Sequence, residues 1–410
     1  MTDVTVPRGS TLKLSRVEGN LRVGDRGRVE QEGPDPINVS VEVMCQGDAD
    51  FQGSLHCGRF NGENGRIQVS GDLTCETEVE VKRSSELRIG GTLEARSVEV
   101  DSRLSVGKSA KADEFDIGGM LEIGESITAR TVEVGGSFRV QGSTEVDDVD
   151  VGGRVELEGP VKIVRLEVGG SARVGGGEIS KQVDVGGSFV SAKPLKFGDI
   201  DVGGTVTLDQ GGEGRGIDVG GRFESRGNLN FETIDVGGTV EITGNGEGEA
   251  VDVGGHLEVS GDLTLKRDLD IGGKAKVGGN LKLQSLEVGG VVEASFIEAQ
   301  DKVEVGGRLA TTKGTKAKTI ELGSRSEAIG VLVGTQVRIR DRARVDDVYA
   351  DVATLEEGVR ARNLYIRSGR IESHCKISGE VLYQETIEAD PEAEFSKPPV
   401  KTAELPRPPI

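Results

Sequence analysis

Apolar residues recur in pairs two positions apart along most of this 410-residue chain, and the set of pairs returns at every seventeenth position. In GGMLEIGESITARTVEV the pairs are Leu121/Ile123, Ile127/Ala129 and Val132/Val134. In GGRVELEGPVKIVRLEV they are Val155/Leu157, Val161/Ile163 and Leu166/Val168. A spacing of two is strand periodicity, with alternate side chains on opposite faces. Three short strands per unit, stepped by six, five and six positions, describe a coil with three sides. No unit carries a helical apolar stripe. The pattern predicts an all-β fold, a single-stranded parallel β-helix (solenoid) of triangular section with about 17 residues per coil.

The register is marked by the tetrapeptide [DE]-[VI]-G-G. It occurs twelve times, with its first glycine at positions from Gly118 to Gly306, and ten of the eleven intervals equal the step from Gly118 to Gly135. Glycines at this corner are expected to let the chain take positive φ. One coil cannot stabilise itself, because a few inward side chains do not offset the ordering of seventeen backbones. Neighbouring coils must supply the rest, as in other one-dimensional repeat proteins. Some 20 coils at about 4.8 Å each would make a rod on the order of 100 Å long.

Five segments follow. Residues 1–10 read as an N-terminal tail, 11–83 as irregular coils, 84–339 as the regular repeat, 340–388 as further coils and 389–410 as a proline-rich tail. The stretch Gln31 to Asn38 carries two prolines and reads as a loop. The tail reads as extended, polyproline-like chain barred from a central strand. It is a free end, a cover for the last coil or a binding segment for a protein partner. One face alternates between large apolar pairs and pairs that are polar or bare backbone: Val161/Ile163, Glu178/Ser180, Leu195/Phe197, Gly212/Gly214, Leu229/Phe231, Gly246/Gly248, Leu263/Leu265. Packing explains this if Phe197 and Phe231 lean over the glycine coils; shallow partner grooves are the alternative.

Composition narrows the function. Aromatics are 3% with no tryptophan, and glycines number 63. The net charge of −20 argues against nucleic acid as a partner, since phosphates require a basic face. No apolar run is long enough for a transmembrane helix, and the start MTDVTVPRGS lacks the features of a secretory signal. Cys45, Cys57, Cys75 and Cys375 form no CxxC pair, which suits a cytoplasmic location. Cys57 and Cys75 sit in strands that repeat in register and are expected to stack as core thiols. Catalysis finds no support: His56, His256 and His374 are scattered, and no nucleophile elbow, P-loop or metal cluster is present. No cofactor is expected.

The strongest outward pattern is acidic. Fourteen carboxylates from Glu99 to Glu321 share one repeat position and should form a vertical ladder roughly 5 Å apart. Such a ladder either keeps solvated faces from sticking or binds cations, for which Asp184, Asp201, Asp218, Asp235 and Asp252 are the candidates. Divalent cations would then bundle the molecules. The terminal coils, near Leu12/Leu14 and near Val381/Tyr383, are expected to expose unpaired strand edges and to self-associate.

Rungs such as DVGGTVEITG and DIGGKAKVGGNLKL, and the ending VLYQETIEADPEAEFSKPPVKTAELPRPPI, resemble the bactofilins, polymer-forming cytoskeletal proteins of bacteria and archaea. The resemblance covers roughly residues 11–388. It implies a right-handed β-helix that stacks end to end into a nucleotide-independent, nonpolar homopolymer and scaffolds cell shape or positions other proteins. This chain is several times longer than a usual bactofilin core. The apolar membrane-targeting stretch of many members has no counterpart here, so membrane association is left open. The other reading is a non-polymerising rigid rod that binds proteins or cations through its acidic stripe.

Overall fold

The computed structural model describes residues 2–410 and contains only strands, turns and bends among them. Two compact units divide the chain, one up to Gly204 and one from Thr205 onward. Each is a parallel β-solenoid. In the first, Arg154–Leu157 pairs with Ser171–Val174, and Val161–Val168 pairs with Gly177–Val185 one coil on. In the second, Thr233–Val236 pairs in parallel with Ala250–Val253, and Thr239–Ile242 with His256–Val259.

Alternation places the predicted inward pairs in the core. Val155, Leu157, Val161, Ile163, Leu166 and Val168 are all buried. The interior also takes phenylalanine: Phe51, Phe60, Phe115, Phe138, Phe189 and Phe223 are fully buried. Where coils differ in length, the extra residues sit outside the ladders. Leu21 pairs with Val43, Val43 with Phe60, Phe60 with Val79 and Val79 with Val98, after which the regular step from Val98 to Phe115 takes over. The proline loop narrows to residues 32–36, because Gln31 and Ile37 already belong to strands.

The corner glycines work differently from expectation. None of the [DE]-[VI]-G-G glycines has positive φ. They are required by close approach: a β-carbon on Gly152 would lie 2.5 Å from the Gly135 carbonyl oxygen, and one on Gly169 would lie 2.5 Å from that of Gly152. Backbone is stacked on backbone from coil to coil, which leaves no room for a side chain. A second corner is held by side chains that lie outside the glycine repeat. Asn228 Oδ1 accepts the Asn245 amide at 2.9 Å, Asn245 Oδ1 accepts that of Asp262 at 2.9 Å, and Asp262 Oδ1 accepts that of Asn280 at 2.6 Å. Each side chain thus satisfies a backbone N–H at the corner of the next coil.

Three further expectations change. Glu178 and Ser180 are not inward. Gly177 pairs with Val161 and Ile179 with Ile163, so Ile179 is buried while Glu178 and Ser180 are exposed. Positive φ at Gly176 and Gly177 admits the one-residue slip, which exchanges the two faces of the strand. Residues 1–10 are not simply a tail: Val4–Val6 pairs with Leu21–Val23, and Val6 is fully buried. Within 389–410, Glu394–Phe395 pairs with Lys376–Ile377, and Val400–Lys401 pairs with Leu382–Tyr383. Pro391 precedes the first of these short strands and Pro398 and Pro399 lie between the two, so no paired amide is lost.

The alternating face resolves as packing where glycine meets Phe231. A β-carbon on Gly248 would sit 2.5 Å from Phe231 Cδ2 and 2.7 Å from Cζ, and one on Gly246 would sit 2.8 Å from Leu263 Cδ1. The ring occupies the space the glycine leaves.

Candidate functional site

The acidic ladder is built by the register of one strand per coil. Its position lies between two buried residues, so the carboxylate faces out. In the first unit Glu80, Glu99, Asp116, Glu133, Asp150, Glu167, Asp184 and Asp201 pair in succession. In the second, Asp218, Asp235, Asp252, Asp270, Glu287, Glu304 and Glu321 do the same, and Arg338 ends the series. Glu80 is a rung that the sequence pattern missed, because the coil steps on either side of it, from Asn61 and to Glu99, are longer than the regular one.

Cations neutralise parts of each stack. Lys82 Nζ lies 3.5 Å from Glu99, Lys302 lies 2.7 Å from Glu304 and 3.4 Å from Glu321, and Arg340 lies 3.5 Å from Glu321. Among the described residues, no basic side chain reaches Asp235, Asp252, Asp270 or Glu287 in an ion pair. Partial burial and the charges of Asp270 and Asp235 hold the Asp252 carboxyl above the ordinary aspartate value. The sign follows: the folded state holds that proton more tightly, so its stabilising effect is present at low pH and is lost as pH rises through the raised value. At neutral pH the charge on Asp252 therefore opposes folding. Asp252→Asn should raise the melting temperature at low ionic strength, through a gain of a few tenths of a kcal/mol, as expected for an exposed like-charge pair. The repulsive part of that gain should be lost by about 0.5 M salt, where screening is short-ranged, while the part due to burial persists. A lower melting temperature at low salt would contradict the repulsion.

Of the five candidate cation ligands, Asp184 and Asp201 lie on consecutive coils of the first unit, and Asp218, Asp235 and Asp252 on consecutive coils of the second. They form columns. Among the described residues, no three His, Cys, Asp or Glu side chains are grouped to hold a metal ion.

Cys57 and Cys75 do stack, with Sγ atoms 3.2 Å apart and both residues buried. The hydrogen bond with Cys75 and burial drive the Cys57 thiol far above its ordinary value, and burial does the same to Cys45. Cys57 and Cys45 are therefore neutral thiols at physiological pH, poor as nucleophiles or metal ligands. The histidines are far apart in register, each beside one glutamate: His56 by Glu76, His256 by Glu258 and His374 by Glu392.

The two predicted edges differ. Thr11–Leu14 pairs with Arg28–Gln31 on one side, and its other side meets no strand among the described residues. Leu12 and Leu14 are half-buried there. The edge beyond Val381 and Tyr383 is occupied instead. Val381 is 1% exposed, Tyr383 pairs with Lys401, and the Tyr383 carbonyl accepts the Thr402 amide at 2.8 Å. The covering strands use the proline-free residues of the last segment.

These features define a parallel β-solenoid repeat protein whose outer surface is ordered by column. No helix among the described residues is long and apolar enough to cross a membrane. Compared with family models, curated proteins and solved structures, the chain has no match in any of the three.

Proposed function

We propose that this chain is a non-catalytic structural scaffold of the bactofilin kind its sequence resembles, associating with further copies by strand pairing at its first coil. The observation that carries this reading is the free side of Thr11–Leu14, with Leu12 and Leu14 half-buried at the edge. Such an edge offers unpaired N–H and C=O groups beside apolar side chains, a ready template for a second chain. The acidic columns support the same reading, since like charge on the flanks disfavours lateral sticking and leaves the coil edge as the adhesive surface.

A second reading, a binding scaffold that does not polymerise, is favoured by the covered edge at Val381 and Tyr383. Growth through one open edge alone gives pairs, whereas filaments need two. Analytical ultracentrifugation with negative-stain electron microscopy separates the cases. The scaffold reading expects concentration-dependent species larger than one chain. Leu12→Arg together with Leu14→Arg should return them to monomer with an unchanged circular dichroism spectrum and melting temperature. A wild-type protein that stays monomeric at about 100 μM, well above the micromolar range of ordinary association, would leave only the second reading.

A further inference from the structure

One outward column of the second unit changes character abruptly. It runs through Asn230, Glu247, Thr264, Lys282, Glu298 and Lys316, then through Val333, Tyr349, Tyr365, Leu382 and Val400. The first six are polar and the last five are not. Asn230, Glu247, Thr264 and Lys282 are exposed, as outward positions on a solenoid should be, whereas Val333, Tyr349, Tyr365 and Leu382 are half-buried. Tyr349 and Tyr365 stack with ring centroids 4.7 Å apart. An apolar, aromatic ridge on an outer face calls for an occupant.

The last residues of the segment supply one. Thr402 leaves the final coil beside Tyr383. Ile410 lies against Gly314, where a β-carbon would be 2.6 Å from its Cδ1 and 3.4 Å from its Cγ2. Lys401 stands five coils from Ala317 along the ladder Lys401, Tyr383, Ile366, Ala350, Gly334, Ala317. Five coils span about 24 Å at 4.8 Å each. The eight steps from Thr402 to Ile410 must be extended to cover that distance, and polyproline II chain, at about 3.1 Å per residue, spans about 25 Å. The sequence LPRPPI provides it: Pro406, Pro408 and Pro409 make a stiff spacer between Leu405 and Ile410, and both of those are half-buried. The ridge begins at Val333, one coil from the coil of Gly314 and Lys316 where Ile410 rests.

We propose that Val333, Tyr349, Tyr365 and Leu382 form a polyproline-binding track whose resident ligand is residues 402–410 of the same chain. The proline spacer loses little freedom on docking, and the tether keeps the ligand at high local concentration. Extended proline-rich chain on an aromatic surface is a recurrent mode of peptide recognition. A protein that binds this segment must first lift it from the tyrosines. The assignment is independent of the assembly state.

The chain contains three tyrosines and no tryptophan; Tyr349 and Tyr365 lie on the track, and Tyr383 stands in the inward column of Ile366 and Ala350. In a Tyr383→Phe background, tyrosine fluorescence therefore reports on this surface alone. In the full chain, Ile410→Asp should roughly double the acrylamide quenching constant as half-buried rings open to solvent. Protein ending at Lys401 should bind a labelled peptide TAELPRPPI saturably. The full chain, its track occupied, should bind it at least about tenfold more weakly, and so should the shortened protein carrying Tyr349→Ser, the loss expected when an aromatic anchor is removed. Unchanged quenching in Ile410→Asp, equal peptide binding by the two lengths, or no binding to the shortened protein up to about 1 mM, the local concentration a short tether supplies, would overturn the proposal. Quenching of the full chain that falls as protein concentration rises would assign the ligand to a second copy and overturn the same-chain assignment.

Discussion

Gly136→Ala is expected to destabilise the protein by about 1–3 kcal/mol, the range for forcing added carbon into close packing. At an unstrained extended position the same change would stabilise by about 0.4–1 kcal/mol, because alanine has less freedom to lose from the unfolded chain. Contact geometry reverses the sign. The new β-carbon would lie 2.5 Å from the Gly119 carbonyl oxygen. That oxygen cannot retreat freely, since it accepts the amides of Gly136 at 2.9 Å and Ser137 at 3.0 Å. Moving one coil also disturbs the next, because Gly153 is stacked on Gly136 in the same way. A urea titration followed by circular dichroism checks this. A midpoint equal to or above that of the wild type would show that the corner glycines serve something other than close backbone stacking.

Phe231→Ala should cost about 3–5 kcal/mol through lost burial and the void it leaves. Gly248→Ala alone should also destabilise, since its β-carbon would lie 2.5 Å from Phe231 Cδ2. In the Phe231→Ala background that obstruction is gone, and the added methyl partly fills the void. The second substitution should then be neutral or stabilising, with a coupling of about 0.5–3 kcal/mol between the sites. Additive effects in a double-mutant cycle would mean that ring and glycine do not share one space. The result bears on function too, because coupling identifies this face as packed core rather than a groove for a partner.

Much of the solenoid was legible because the repeat carries its own register. Pairs such as Val155/Leu157 and Leu166/Val168 state which side chains face inward, and the recurring acid between them states what faces out. Legibility failed where a residue's meaning depends on a neighbour in the next coil. Corner glycines look alike whether they supply positive φ or make room for a carbonyl oxygen. Glu178 and Ser180 occupied the inward slots by counting, yet a slip at Gly176 and Gly177 gave the interior to Ile179. The tyrosine ridge carried a faint signal, three tyrosines confined to residues 349–383 of the chain. Nothing in that clustering says that two of the rings, Tyr349 and Tyr365, stack on one outer column.

The candidate surfaces divide in the same way. The acidic columns, the stacked thiols of Cys57 and Cys75 and the edge at Leu12 and Leu14 follow from periodicity, because strand alternation and in-register stacking are local rules applied repeatedly. The cover over Val381 and Tyr383, and the return of Ile410 to Gly314, belong to tertiary structure alone. Proline content predicted an extended segment, but an extended segment has no intrinsic direction. The apolar column decides where it lies, through contacts between residues nearly a hundred positions apart that no local pattern encodes.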